Sequence, residues 1–283
     1  MRILAIGDFH GKFPQKLKRE VKKKDIDLVL CTGDYANGDK IRKIIFKHWT
    51  DKKWYDFVGL KKAKQLEKES FNSGLDILKK LNSLSKKIYI IFGNTDFYRD
   101  YTTSEPSIIM PGFYEDKISK MKNIFLIDKK KKKIKDLEIV GHGGYVDVTE
   151  FIKNPVDKDK KKQKKRLKRY RKDEVKLRKL FLKKKPKKGF VFVIHYTPYR
   201  FFDVVKFRQS PMYGKHVGWE PYNRIIKKYK PGLVVCGHMH EYQGIKRLGK
   251  TTIVSTGSAQ DGKAAIIDFD ERNKKVEKIK FIK

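Results

Sequence analysis

Five short polar motifs each close an apolar run in this chain. Asp8-Phe9-His10 follows residues 3–6, Gly33-Asp34 follows 28–31, and Gly93-Asn94 follows 88–92. His195 follows 190–194, and Gly237-His238-Met239-His240 follows 233–236. The seven residues Asp8, His10, Asp34, Asn94, His195, His238 and His240 offer carboxylate and amide oxygens and four imidazoles, with no thiolate. Such a set suits Mn, Fe, Ni, Co or Zn better than Mg or Ca alone. It is too large for one tetrahedral ion and right for two ions sharing a carboxylate. Two ions roughly 3.5–4 Å apart clamp the attacking and leaving oxygens of a phosphoryl displacement and acidify water toward neutral pH. The chemistry expected is phosphoester hydrolysis.

The runs that precede these motifs are short and rich in Val, Ile, Leu and Phe, the pattern of buried strands. Their ends are expected to converge on one edge of a sheet, where open α/β sheets bind ligands. Strands are predicted at 2–7, 28–31 and 88–92, and helices at 15–23, 39–48 and 60–84. Residues 98–111, with Thr, Ser and Pro, read as a loop that walls the site. The aromatic run from Tyr196 to Phe202 is expected beside the metals, to stack on a base or to pack. Short β runs at 244–247, 252–255, 264–269 and 276–281, separated by turn residues, are expected to form a second sheet on the first.

The ordered set D-x-H, G-D, G-N, a lone H and G-H-x-H resembles the calcineurin-like metallophosphoesterases, and it spans most of the chain, from Asp8 to His240. The resemblance implies an α/β fold, a four-layer α/β/β/α sandwich with two mixed sheets. It implies that Asp8, His10 and His240 hold one metal, that Asn94, His195 and His238 hold the other, and that Asp34 bridges them. Manganese is the first expectation for both ions. Many members carry His after the G-N pair as the proton donor; here Thr95 stands there, so the general acid is unassigned. Asp96 matches the acidic position that ends the motif and by resemblance orients its neighbours. His142, in Gly141-His142-Gly143-Gly144, is a candidate for the site or a structural imidazole at a glycine turn. With Asp34, Asn94, His195 and Asp96 it completes the expected catalytic set.

Charge sets the context. The formal net charge is +37, from 70 basic and 33 acidic residues, and Lys supplies 57 of the 70. Lys excess points to a polyanion partner such as nucleic acid, or to the Lys-rich surfaces of hyperthermophile proteins. Few arginines argue against base reading. Residues 153–188 carry 20 basic and 4 acidic side chains, a net of +16. They read as a basic helical insertion, with a helix from about 160 to 184, that either offers a landing surface for nucleic acid or is a solvated face. One domain over 1–283 is expected, with 153–188 as an embellishment. No run approaches the roughly 18 apolar residues of a membrane span, and Met1–Gly7 is too short for a signal peptide. Cys31 and Cys236 lie in apolar runs and read as buried free thiols of a cytoplasmic protein.

The expectation is thus a dinuclear-metal phosphoesterase acting on phosphodiesters of nucleotides or nucleic acid rather than on phosphoproteins. The Arg-bearing signature of protein phosphatases is absent after Gly33-Asp34, where Tyr35-Ala36-Asn37-Gly38 stands instead. The alternatives are a nuclease related to double-strand-break repair nucleases and a non-enzymatic partner-binding scaffold. The sequence leaves the oligomeric state open.

Overall fold

The computed structural model describes residues 1–23, 25–48, 52–100, 108–155, 159–182 and 185–283. The N-terminal half alternates strand and helix: β1 (Arg2–Ile6), α1 (Gln15–Lys22), β2 (Leu28–Cys31), α2 (Asp39–Lys47), α3 (Leu60–Asn82), β3 (Ile88–Ile90), α4 (Tyr114–Ile118) and β4 (Ile124–Leu126). A second run follows: β5 (Lys131–Ile134), β6 (Leu137–His142), α5 (Thr149–Lys153), α6 (Lys160–Leu182), β7 (Val191–Ile194), α7 (Glu220–Tyr229) and β8 (Leu233–Cys236). The chain ends in β9 (Gln243–Leu248), β10 (Thr251–Thr256), β11 (Ala264–Asp270) and β12 (Lys275–Ile282). The predicted elements are present to within two residues at each end. The predicted ends at Lys183 and Lys184, and residues 101–107 of the expected loop, lie outside the described residues.

The strands form two mixed six-stranded sheets. Their orders are β12-β11-β1-β2-β3-β4 and β5-β6-β7-β8-β10-β9. Parallel pairing joins β1 to β4 in the first and β6, β7, β8 and β10 in the second, with antiparallel strands at the edges. One expectation is corrected here. The four C-terminal strands do not make the second sheet together. β9 and β10 extend the sheet of β6–β8, whereas β11 and β12 return to pair beside β1. The reason is a shared requirement for burial: Ala265 and Ile267 of β11 and Val254 of β10 all belong to the core between the sheets, each reaching it from its own sheet.

Three apolar layers follow from strand alternation. Ile3, Ala5, Leu28 and Leu30 face Ile139, Val191, Val193 and Val235 between the sheets. Leu4, Ile6, Val29 and Cys31 point outward against Leu17, Val21, Ile77 and Tyr114 of the first sheet's helices. Val140, Phe192, Ile194 and Val234 meet Tyr170, Leu177 and Phe181 of α6 and Tyr222, Ile225 and Ile226 of α7. The basic helix is therefore anchored by one buried stripe, with most of its lysines outward. Truncating Leu177 to Ala, fully buried in that stripe, is expected to cost about 2–5 kcal/mol of stability, read as a lowered urea midpoint.

Candidate metal centre

The site lies across the C-terminal ends of both sheets rather than along one edge of a single sheet. Register places these ends side by side: Ile6 pairs Cys31, Cys31 pairs Ile90, and Val193 pairs Val235. Immediately beyond, the backbone turns sharply. Asp8, His10, Asp34 and His238 all have positive φ, between 42° and 68°. Such conformations cost of order 1–3 kcal/mol each in non-glycine residues and persist where the surroundings over-determine them. Here the Asp8, Phe9 and His10 amides donate to the carbonyls of Gly33 and Asp34 at 2.8–3.0 Å. The two sheets are tied together at the same place, because the His238 amide donates to Asp8 Oδ1 at 3.0 Å.

Asp34 stands at the centre. Its Oδ1 accepts from the Thr95 amide and hydroxyl, both at 2.9 Å. Its Oδ2 lies 3.5 Å from His10 Nε2 and 3.6 Å from His195 Nε2. The ligand atoms of Asp8, His10, Asp34 and His240 fall within 4.8 Å of one another, as do those of Asp34, His195 and His238. Asp34 is the member common to both groups. Asn94 joins the second, with Oδ1 2.8 Å from both His195 Nε2 and His238 Nδ1. All seven residues singled out from the sequence are thus brought together.

The nitrogen and oxygen atoms of this cluster crowd one another. His195 Nδ1 lies 2.8 Å from the Thr32 carbonyl oxygen, which can only accept, so Nδ1 carries the proton. In the neutral ring Nε2 then presents a lone pair to the amide oxygen of Asn94. His10 Nε2 and His240 Nε2 likewise face each other at 3.0 Å. Burial, with the charge of His240, pushes His10 down to about 3. Burial and the neighbouring imidazoles hold His238 well below the usual histidine range. Both are therefore neutral, the form that ligates metal. Burial also works to lower His240, but the hydrogen bond and charge of Asp8 prevail and raise it. Imidazole nitrogens and carboxylate and amide oxygens converging this closely fit divalent cations, and the His195–Thr32 bond is an outer contact that leaves Nε2 of His195 able to ligate.

Asp96 has the supporting place expected of it. Its carboxylate accepts the amides of Asp34, Tyr35, Ala36 and Gly93 at 2.7–3.1 Å. Burial and the charge of Asp34 push it up to about 7, against those N–H donors, which favour the anion. The Asp34 loop and the Gly93 turn approach so closely that a Cβ on Gly93 would sit 2.1 Å from Asp34 Oδ1. Only glycine fits there.

His142 is not brought to the cluster. Its ring is buried behind β6, 2.8 Å from the Tyr222 hydroxyl and stacked on Trp219 with centroids 5.6 Å apart. The glycines around it pack backbone on backbone: a Cβ on Gly143 would meet the Phe92 carbonyl oxygen at 2.1 Å. Of the aromatic run, Tyr196 lies against a candidate ligand, with its ring 3.9 Å from that of His238. Tyr199 turns away to His216, at 5.4 Å.

A cleft of about 960 Å³ opens over Asp34, Asn94, His238 and His240. Ile41, Ile45 and Phe46 of α2 and Val205, Phe207 and Met212 form its apolar walls. Its basic walls are Arg42 of α2 and the inner edge of α6, with Lys162, Lys165, Arg166 and Arg169. Residue order carries no sign that α6 reaches the site. Nor does it single out Arg42, which pairs with Asp39 at 2.7 Å and is near enough to depress His10 and His238.

The calcineurin-like phosphoesterase family model matches residues 1–242, and the chain belongs to that family. It is a metal-dependent phosphoester hydrolase with a dinuclear divalent-metal site. An uncharacterized protein of Methanocaldococcus jannaschii, MJ1162, is 26% identical over 260 residues, covering 90% of this chain and 87% of that protein. One solved structure, 20% identical, superposes with a TM-score of 0.64 over 99% of this chain and 97% of that chain. TT1561 of Thermus thermophilus, 15% identical, gives 0.51 over 100% and 99%. Both share the fold. Among the described residues no helix is long and apolar enough to cross a membrane.

Two expectations separate packing from catalysis at His142. Burial pushes it down to about 3 from 6.5. The unfolded chain therefore binds its proton first, and stability falls as pH drops from about 6.5 toward 3. His142→Gln, which keeps a partner for Tyr222, is expected to flatten this dependence by up to about 1.36 kcal/mol per pH unit, measured by urea unfolding of the metal-free protein. The same variant is expected to lose far less than the roughly 100-fold in kcat that removal of a general acid costs.

Proposed function

We propose that this chain hydrolyses phosphodiesters, of nucleotides or of nucleic acid, and that manganese fills both positions. Asp8, His10 and His240 would hold one ion and Asn94, His195 and His238 the other, with Asp34 shared. The observation that carries this is Asp34 Oδ2, placed within 3.6 Å of an imidazole nitrogen from each group. When bound, the ions supply Lewis-acid charge to the phosphoryl oxygens and acidify water.

The chain's own residues do the remainder. Asp96 holds the Asp34 loop and Thr95 fixes the Asp34 rotamer, so the ligand set is preorganised. With its hydroxyl committed to Asp34, Thr95 is a poor proton donor to a leaving group. Arg42, exposed on one side of the cleft, is placed to meet a phosphoryl oxygen with a guanidinium fork. The cations of α6 beside the cleft favour polyanionic substrates and keep the nuclease alternative in view. The intact donor set speaks against a scaffold without activity. The two buried free thiols support a reducing, cytoplasmic setting.

Bis(4-nitrophenyl) phosphate is the first test. Turnover is expected with Mn, to be abolished by a chelator and restored by Mn. No turnover with Mn, Ni or Mg would remove the reading. Across a series of esters, kcat is expected to fall steeply as leaving-group pKa rises, because little proton donation is available. A flat series with chemistry rate-limiting would reveal an acid elsewhere in the cleft. Arg42→Gln is expected to lower kcat by about 100-fold while bound metal per chain, measured by elemental analysis, stays constant.

A further inference from the structure

Arg166 and Arg169 lie one turn apart on the inner edge of α6, and a single buried carboxylate holds them both. Asp147 Oδ1 accepts from Arg166 Nη1 at 3.0 Å. Asp147 Oδ2 and Oδ1 take Arg169 Nε and Nη2 at 2.8 and 3.2 Å, a two-point fork. The Asp147 side chain is fully buried, whereas those of the two arginines are 14% and 16% exposed, on the cleft side. Both guanidinium groups reach this carboxylate, Arg166 also lies over the Phe151 ring at 4.5 Å, and both line one wall of the cleft. Lys162 and Lys165 line the same wall and add to it.

The position of this pair relative to the metal centre is set by two aromatic rings. Tyr196 lies 3.9 Å from His238, and Tyr145 lies 6.4 Å from Tyr196, ring to ring. Tyr145 Oη reaches Asp147 at 3.3 Å. The arginines thus stand beyond two tyrosines from His238, in the same cleft as Asp34 and Asn94. Guanidinium groups fixed by a buried carboxylate have already lost their rotamer freedom, so an arriving phosphate binds without that entropic cost. A tether for α6 would not require Lys162 and Lys165 beside it, nor guanidinium groups lining the cleft.

We propose that Arg166 and Arg169 form a subsite for a second phosphate of the substrate, one not cleaved in the same event. This rests on the phosphoesterase reading above. The second phosphate is either the next phosphate of an oligonucleotide or the neighbouring phosphoryl group of a nucleoside diphosphate ester. Both present the same tetrahedral oxyanion to the pair.

Three probes with one leaving group test this in the metal-loaded protein: the 4-nitrophenyl ester of thymidine 5′-phosphate, the same ester carrying a 3′-phosphate, and the 4-nitrophenyl ester of thymidine 5′-diphosphate. Turnover of the first by the parent protein checks the underlying reading by itself. At least one of the other two is expected to show a KM lower by about tenfold, in line with a charge-assisted hydrogen-bonded contact. The 3′-phosphate probe would indicate a nucleic-acid source, and the diphosphate probe a phosphoanhydride. In Arg169→Gln that KM advantage is expected to collapse toward unity with the kcat ratio between probes unchanged. Lys165→Glu, an exposed change on the same wall, is expected to shrink it as well, and it carries the test if the arginine variant fails to fold. Equal KM for all three probes in the parent, or an advantage that survives in the variants, would overturn the subsite.

Discussion

The two oxygens of Asp34 do different work, and the centre depends on that division. Oδ1 is occupied by the Thr95 amide and hydroxyl, which fixes the side chain without using its second oxygen. Oδ2 is left between His10 and His195, imidazoles that arrive from different sheets. A carboxylate free to rotate would serve one group at a time. The loop that carries it is held in turn by Asp96, whose four backbone donors come from both the Asp34 turn and the Gly93 turn. Positive φ at Asp8, His10, Asp34 and His238 is the conformational cost of aiming these side chains from strand ends, and the hydrogen bonds between the β1 and β2 ends and from His238 across to Asp8 offset it.

Much of this was legible from residue order alone. A ligand type placed immediately after a short apolar run is a strand-end signal, and register then brings neighbouring ends together. The resemblance to a family of five ordered motifs supplied the partition of ligands. Other features were not legible because they are tertiary. That β11 and β12 pair beside β1 depends on which sheet face remains to be covered, not on any property of residues 264–282 themselves. That Thr95 secures Asp34 is visible only once the 93–96 turn is seated under the 34–36 loop. His142, after an apolar run, could have stood near the site or been a structural imidazole at a glycine turn. Its side chain instead faces Trp219 and Tyr222 on the outer side of the second sheet.

The charge of the chain also divides on inspection. Lysine dominates the outward face of α6, while the two arginines on its inner edge are gathered on Asp147 at the cleft. A count of basic residues cannot separate these roles. Burial and pairing can, because a guanidinium held by a buried carboxylate is oriented and an exposed ammonium is not. The same helix therefore serves the core through Tyr170, Leu177 and Phe181, solvent through most of its lysines, and the cleft through Lys162, Lys165 and the two arginines.

The central claim is that one carboxylate is shared between two metal positions, and metal stoichiometry tests it most directly. Elemental analysis of the Mn-loaded chain after removal of free ion should give two ions per chain. In Asp34→Asn, with folding verified by near-UV circular dichroism, occupancy should fall to one ion or fewer, because both positions lose the same anionic ligand. Two tightly held ions in that variant would contradict a shared Asp34, and a single ion in the parent protein would contradict the dinuclear centre itself.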